Sequence, residues 1–142
     1  MSILLIVAVV AAKNNTPEKN AVNSAKILQE GSGWKAPAFV DKLTNRLTDL
    51  KAAAKKGKEI FDVQCAICHG PKGKGDGAAG MGLTPRPANL TSERVQSQSD
   101  GAIYWKITTG NPPMASYKGT FSKKQRWELV TFIRTLGKKE SN

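Results

Sequence analysis

A single five-residue run, Cys65-Ala66-Ile67-Cys68-His69, contains both cysteines and the only histidine of this chain of 142 residues. Because the two thiols are three positions apart, they cannot brace distant parts of a fold, and a disulfide between them would be local and redox-active. A chain of this length can bury a core of its own without disulfide support. The run therefore indicates a chemical site rather than a structural cross-link.

Three kinds of site use cysteines at this spacing. A thioredoxin-like dithiol follows a strand in an α/β pattern, whereas a helical pattern precedes Cys65 and no strand pattern follows it. A structural zinc site needs four ligands, and the chain has no second pair of cysteines or histidines to complete one. Cys-X-X-Cys-His is the attachment signature of c-type haem, in which two thiols add to the vinyl groups of one porphyrin.

The run therefore predicts one covalently attached haem c per chain, held by Cys65 and Cys68. The adjacent imidazole of His69 would then be the proximal ligand of the iron. Its second ring nitrogen is expected to donate a hydrogen bond to a carbonyl, which fixes the orientation of the ring.

The second axial ligand cannot be a histidine, because His69 is the only one. Methionine is the remaining choice, and apart from Met1 the candidates are Met81, in a glycine-rich stretch, and Met114. The prolines at 112–113 stiffen the approach to Met114, which limits the entropy lost on presenting its thioether. We expect Met114 to ligate the iron and Met81 to fill space in the core.

Helical periodicity without any convincing alternating pattern predicts an all-α protein. The stretch 70–91 is dense in glycine and proline and is expected to be loop. Three helices are predicted after residue 48, one from Asp49 to the cysteine run, one from Ser99 or Asp100 to Gly110, and one from Ser122 to Gly137.

The first 48 residues divide into two parts. Residues 1–12 form a short apolar run, and its ten residues from Ile3 to Ala12 are too few to cross a bilayer, which takes about 20. We interpret the run as a signal remnant or a shortened membrane anchor, which favours a periplasmic or other extracytoplasmic location and leaves membrane association through the N-terminus open. Residues 13–48 form an N-terminal extension, with a helix predicted over 13–31, and the domain proper is predicted at 49–142.

Residues 32–47 carry more aromatic and aliphatic side chains than a free linker does. We expect this segment to lie against the main domain, and a flexible tether is the alternative.

Basic residues outnumber acidic residues by 22 to 11, which gives a net charge of +11. Such an excess favours anionic partners. Nucleic acid is not expected among them, because the basic residues are spread along the chain without a recognition motif.

Residues 49–137 resemble the class I cytochromes c, a monohaem family. The resemblance rests on four features, which are Gly57 with Phe61, the cysteine run, Pro112-Pro113-Met114, and the sequence WELVTFIR at 127–134. It implies three to four helices around the haem, with the first and last helices of the core crossing. It also implies that Gly57 permits the close approach and that Phe61 packs against Leu129 and Phe132.

The resemblance further implies an aromatic or basic group near a haem propionate, for which Trp105 and Arg86 are the candidates. With both axial positions filled, such a haem has no room for a substrate, so the expected role is single-electron transfer rather than catalysis. The expected partners are an oxidase or a quinol-oxidising complex with an acidic docking face. Five lysines would surround the exposed haem edge and steer that partner, namely Lys72, Lys74, Lys118, Lys123 and Lys124.

Two other classes of function stay open from the sequence. A haem enzyme or gas sensor would need a vacant sixth position on the iron. A subunit or domain of a larger membrane respiratory complex would use residues 1–48 as an anchor or docking arm.

Overall fold

The structure, a computed structural model, describes residues 33–137, and these fold as helices and loops without a β-strand. The predictions made for residues 1–12 and 13–31 lie outside the described residues. The helices are α1 (Leu50–Gln64), α2 (Ala66–His69), α3 (Glu93–Gln96), α4 (Asp100–Thr109) and α5 (Lys123–Leu136), with short 3-10 helices at Ala38–Lys42 and Ala78–Gly80. The all-α fold class is confirmed.

The three long helices begin at the predicted caps. The side chains of Asp49, Ser99 and Ser122 accept hydrogen bonds from backbone amides three residues further on. Ser122 forms a full capping box with Gln125, which satisfies two amides that the first turn would otherwise leave unpaired. The one-turn helices α2 and α3 were not predicted, because four residues are too few to show a helical period.

Helices α1 and α5 cross at Gly57. A β-carbon at this position would overlap the backbone oxygen of Glu128 and lie 2.9 Å from Cβ of Phe132. One turn later Phe61 is fully buried, and its ring packs against that of Phe132 with centroids 5.1 Å apart. The predicted crossing of the first and last core helices is therefore confirmed, and Leu129 belongs to the same buried cluster as Phe61.

Helix α4 completes the core. Its buried Ile103 and Ile107 join Phe61, Val130 and other side chains of α5 in one cluster. Outside the apolar cluster, Arg134 of α5 forms an ion pair with Asp100 at 2.7 Å. The start of α4 is thus fixed to the end of α5 by a polar contact, while its middle is fixed by apolar packing.

The segment before α1 lies on the core. The Trp34 ring is 5.9 Å from that of Trp105 of α4, and Val40 is almost completely buried. Further along, Asn45 Nδ2 donates a hydrogen bond of 2.9 Å to Thr131 Oγ1 of α5. Trp34 and Val40 therefore pack on the core, whereas Phe39 and Leu43 of the same segment are exposed.

Within residues 33–137, none of the helices combines the length and the apolar character that crossing a membrane requires.

Replacing Gly57 with alanine tests the crossing. Alanine is normally better than glycine inside a helix by about 1 kcal/mol. Here the added methyl group would force α1 and α5 apart, so we expect the free energy of unfolding to fall by about 2–3 kcal/mol. Urea unfolding of the haem-loaded protein measures the change.

Gly119→Ala is the control, because a β-carbon at Gly119 meets nothing within 4 Å. Equal stability of Gly57→Ala and the wild type would contradict the described crossing.

Candidate functional site

The cysteine run sits where α1 ends. Cys65 caps α1 through a hydrogen bond of 2.9 Å from its amide to the carbonyl of Phe61. The chain then turns at once, with the amides of Cys68 and His69 donating to the Cys65 carbonyl at 3.1 and 2.8 Å. Residues three apart in a helical turn lie on one side of it, so both half-buried thiols are available to one ligand.

His69 has a hydrogen-bond partner for its second ring nitrogen. Its Nδ1 lies 3.0 Å from the carbonyl oxygen of Ala88. Because a carbonyl can only accept, Nδ1 must carry the proton and donate it, which leaves the lone pair of Nε2 free for a metal. Burial lowers the pKa of His69, and the bond to Ala88 opposes part of that change. The ring is therefore a neutral imidazole with a fixed tautomer, as an iron ligand needs to be.

The glycine-rich loop after the run brings the Ala88 carbonyl to His69. The amide of Gly75 donates to the His69 carbonyl at 2.8 Å, and Gly75 has a left-handed φ of 79°. A β-carbon on Gly75 would overlap the carbonyl oxygen of Pro87, the residue just before Ala88. Glycine is required here both for the backbone angle and for the close approach of the two segments of the loop.

The state of the thiols fits attachment better than dithiol redox catalysis. Burial raises the pKa of the Cys65 thiol to about 12, and the neighbouring Cys68 adds to the rise. Redox-active dithiols have a lowered cysteine pKa, because the thiolate is their nucleophile. Two half-buried thiols for the vinyl groups and a neutral imidazole for the iron are the groups that a covalently attached haem uses.

Met114, the predicted ligand, lies on a loop whose two ends are both hydrogen-bonded to the C-terminal part of α4. Gly110 ends α4 with a φ of 67°, and Asn111 and Met114 then pair through two backbone hydrogen bonds of 3.0 and 2.9 Å. After Met114 the chain returns to α4, where Ser116 Oγ donates to the Thr108 carbonyl at 2.7 Å. Met114 itself is half-buried, and its place in the loop is set by the C-terminal end of α4.

Tyr117 connects this loop to the cysteine run, and the sequence did not single it out. Its amide donates to the Ile107 carbonyl at 3.1 Å, and its hydroxyl lies 3.3 Å from the carbonyl of Gln64, the residue before Cys65. Burial raises the pKa of Tyr117, and the two cysteine sulfurs raise it further. An aromatic residue three positions after Met114 was the only sequence signal for this link.

The other predicted residues lie elsewhere on the described surface. Met81 does not fill the core as expected, since it is 48% exposed and its sulfur lies 3.6 Å from Nη1 of Arg86. The reason is that Met81 directly follows the 3-10 helix Ala78–Gly80, which takes up the close position against the backbone of Cys68. Arg86 is exposed, and half-buried Trp105 packs against Trp34.

A protein-family model decides the family. The model described as cytochrome C oxidase, cbb3-type, subunit III matches residues 52–133, which is more than half of the chain. The chain belongs to this family of c-type cytochromes. The resemblance to class I cytochromes is thereby confirmed, as are covalently bound haem c as the cofactor and haem-based electron transfer as the function.

Individual relatives of this cytochrome fall into two groups by length. Cytochrome c-554(547) of Halothiobacillus neapolitanus is 34% identical over 92 residues, which cover 58% of this chain and 96% of the relative. The cbb3-type cytochrome c oxidase subunit CcoP of Azospirillum brasilense is 43% identical over 100 residues, which cover 70% of this chain. The alignment covers 33% of CcoP, so the cytochrome corresponds to about a third of that subunit.

Among solved structures, a chain of the Kuenenia stuttgartiensis reducing HAO-like protein complex is similar in fold. The TM-score is 0.58 at 26% identity, and the match covers 69% of this cytochrome and 49% of that chain.

The Ala88 bond to His69 can be tested through Gly75→Ala. The substitution would push the loop away from His69 and weaken the hydrogen bond. That bond makes the imidazole a better electron donor, so its loss destabilises the ferric state. We expect the reduction potential to rise by on the order of 20–60 mV, since 59 mV is a factor of ten for one electron.

Redox titration measures the shift. Gly82→Ala is the control in the same loop region, because a β-carbon at Gly82 meets nothing within 4 Å. A lower potential in Gly75→Ala than in Gly82→Ala would show that the bond does not act in this way.

Proposed function

We propose that this cytochrome carries one haem per chain and passes single electrons between respiratory proteins, without catalysing a reaction of its own. Thioether bonds to Cys65 and Cys68 would hold the haem, with Nε2 of His69 and the sulfur of Met114 as axial ligands. The observation that carries this proposal is the hydrogen bond from His69 Nδ1 to Ala88, because it leaves Nε2 free to bind iron. One haem per chain is proposed because the sequence has one attachment run.

When bound, the haem supplies the one-electron couple, and the protein supplies ligands, burial and docking. A thioether ligand opposite an imidazole favours the reduced iron and raises the reduction potential. Filling both axial positions leaves no coordination site for a substrate, which supports a carrier over a haem enzyme or gas sensor.

Two side chains are proposed near the haem propionates. Arg86 is two residues before Ala88, the partner of His69, and its side chain is exposed. Trp105 has weaker support, because its ring already packs against Trp34.

The partner is proposed to be an oxidase or quinol-oxidising complex with an acidic docking face. Lys72 and Lys74 follow the attachment run, whereas Lys118 and Lys123 follow the methionine loop, and all four are exposed without an ion pair within residues 33–137. Lys124 contributes less, since its ammonium is paired with Glu128 at 2.8 Å. Unpaired surface lysines steer an acidic partner by long-range attraction that salt screens.

The second candidate function is that of a haem subunit in a membrane oxidase. The 43% identity to the oxidase subunit CcoP supports it, while the near-complete coverage of cytochrome c-554(547) supports a separate carrier. In both cases we propose an extracytoplasmic location, with residues 1–12 as signal remnant or anchor, 13–48 as extension and 49–142 as the cytochrome domain. Migration of the purified haem protein as a free monomer would favour the carrier.

Met114→Ala tests the axial ligation. We expect the variant to keep its covalent haem, lose the thioether-to-iron charge-transfer band of the ferric protein, and bind carbon monoxide when reduced. The physical reason is that alanine leaves the sixth position open. Absorbance spectra with and without carbon monoxide provide the measurement.

Met81→Ala is the matched control. Because Met81 is exposed, this variant is expected to keep the charge-transfer band. A band that survives in Met114→Ala and disappears in Met81→Ala would transfer the ligand role to Met81.

Reversing the charge of Lys72 tests the docking surface. We expect Lys72→Glu to slow electron transfer to an acidic redox protein by on the order of fivefold at low ionic strength and to have little effect at high salt. Stopped-flow rates across a salt series give the measurement.

Lys55→Glu makes the same charge change on the exposed side of α1, about 15 Å along the helix from the cysteine run. Equal slowing by both variants would point to net charge rather than to a docking surface around the site.

A further inference from the structure

Residues 34–45, which we name the strap, pack on the outer side of α4. At its start the Trp34 ring is 5.9 Å from the Trp105 ring, and the ammonium of Lys106 lies 5.4 Å from the Trp34 centroid. The same ammonium donates to Gln98 Oε1 at 2.6 Å, which holds it in place over the indole. Both the aromatic contact and the cation–π contact hold the start of the strap on α4.

The middle of the strap touches the backbone of α4. A β-carbon at Gly101 would overlap the carbonyl oxygen of Val40 and lie 2.9 Å from its carbonyl carbon. Val40 is 1% exposed, and Asp41 next to it accepts a short hydrogen bond from Ser99, the cap of α4. Gly101 lies in the first turn of α4, where the absence of a side chain allows the strap to lie directly on the helix.

The strap ends on a second helix. Asn45 Nδ2 donates to Thr131 Oγ1 of α5 at 2.9 Å, and Asn45 Oδ1 accepts from the amide of Leu47 at 3.1 Å. The strap is therefore attached both to α4, through Trp34 and Val40, and to α5, which crosses α1 in the core.

The opposite end of α4 carries the methionine loop. The Thr108 and Ile107 carbonyls accept hydrogen bonds from Ser116 and Tyr117, and Gly110 begins the turn that leads to Met114. Every one of these anchors moves with α4. The position of this ten-residue helix therefore sets the position of Met114, and the strap contacts the helix at Ser99, Gly101 and Trp105.

We propose that the strap is a positioning element for the sixth iron ligand, holding α4 so that the sulfur of Met114 stays on the iron. The inference rests on the proposed ligation by Met114. The methionine leaves the iron only when its loop moves. If α4 is held less firmly, the state in which the loop has moved becomes more populated. A ligand that competes for the iron then binds more tightly in proportion to that population.

Gly101→Ala in the full-length haem protein is the sharpest test, because it disturbs the contact with the strap without removing any side chain from α4. The probe is imidazole, which replaces a displaced methionine on ferric iron. We expect the affinity for imidazole to rise about tenfold, a change that corresponds to about 1.4 kcal/mol. The charge-transfer band should be present in the absence of imidazole, since the loop is displaced in only a minor fraction of molecules.

Two further variants separate positioning from general destabilisation. Gly119→Ala adds a methyl group in open space and should bind imidazole like the wild type. Trp34→Ala should raise the affinity as Gly101→Ala does, and Trp34→Phe should restore most of the wild-type value because it keeps an aromatic contact with Trp105. All affinities are measured without denaturant, where each variant is folded, so a merely lower stability would not change them.

The outcomes distinguish the two proposals. A wild-type protein without the thioether band would overturn the ligation by Met114 itself. A normal band combined with unchanged imidazole affinity in Gly101→Ala and Trp34→Ala, even with reduced stability in urea, would overturn the strap as a positioning element and leave the ligation intact.

Discussion

The backbone-to-backbone approach of α1 and α5 at Gly57 is the constraint on which the rest of the structure depends. Only a residue without a side chain allows the carbonyl of Glu128 to come this close, and the approach buries Phe61 between the two helices. Because α1 ends at Cys65, the crossing also fixes where the attachment run begins. The fully buried Phe61 and the start of the chemical site therefore belong to the same helix.

The candidate site is built from two sides that differ in their physical character. On one side a tight glycine-rich loop wraps back on the cysteine run and delivers the carbonyl of Ala88 to His69. On the other side the loop bearing Met114 is held by the end of α4. The Tyr117 hydroxyl bonds to the carbonyl of Gln64, so the methionine loop is hydrogen-bonded to the end of α1, directly before the attachment run. This arrangement suits a carrier, in which the ligands should move little when the iron changes charge.

The strap is a part of the N-terminal extension that packs on α4, and the family model does not include it. The family match begins at residue 52, after the strap has ended. Its contacts with α4 involve the backbone at Gly101, an indole pair and the ammonium of Lys106 over Trp34. A segment outside the residues that the family model matches can in this way adjust a property of the site without contributing any ligand to it.

Much of the fold could be predicted because its signals are local. Apolar spacing marks the long helices, and Asp49 and Ser122 mark their starts through a side-chain oxygen that reaches an amide three residues away. The attachment run is likewise local, since two thiols and an imidazole within five residues suffice to predict haem c. By contrast, the core-filling role predicted for Met81 was wrong, because exposure depends on which neighbours take up the space.

The sequence by itself therefore determined the three long helices and the cofactor, and it predicted His69 as the proximal ligand, because each of these depends on signals within one short segment of the chain. Only the tertiary structure decided that Ala88 is the partner of His69, that Tyr117 joins the methionine loop to the end of α1, and that Trp34 lies on Trp105. These contacts join residues 19 to 71 positions apart. Their pairing follows from how the helices pack, and no spacing within a single segment encodes it.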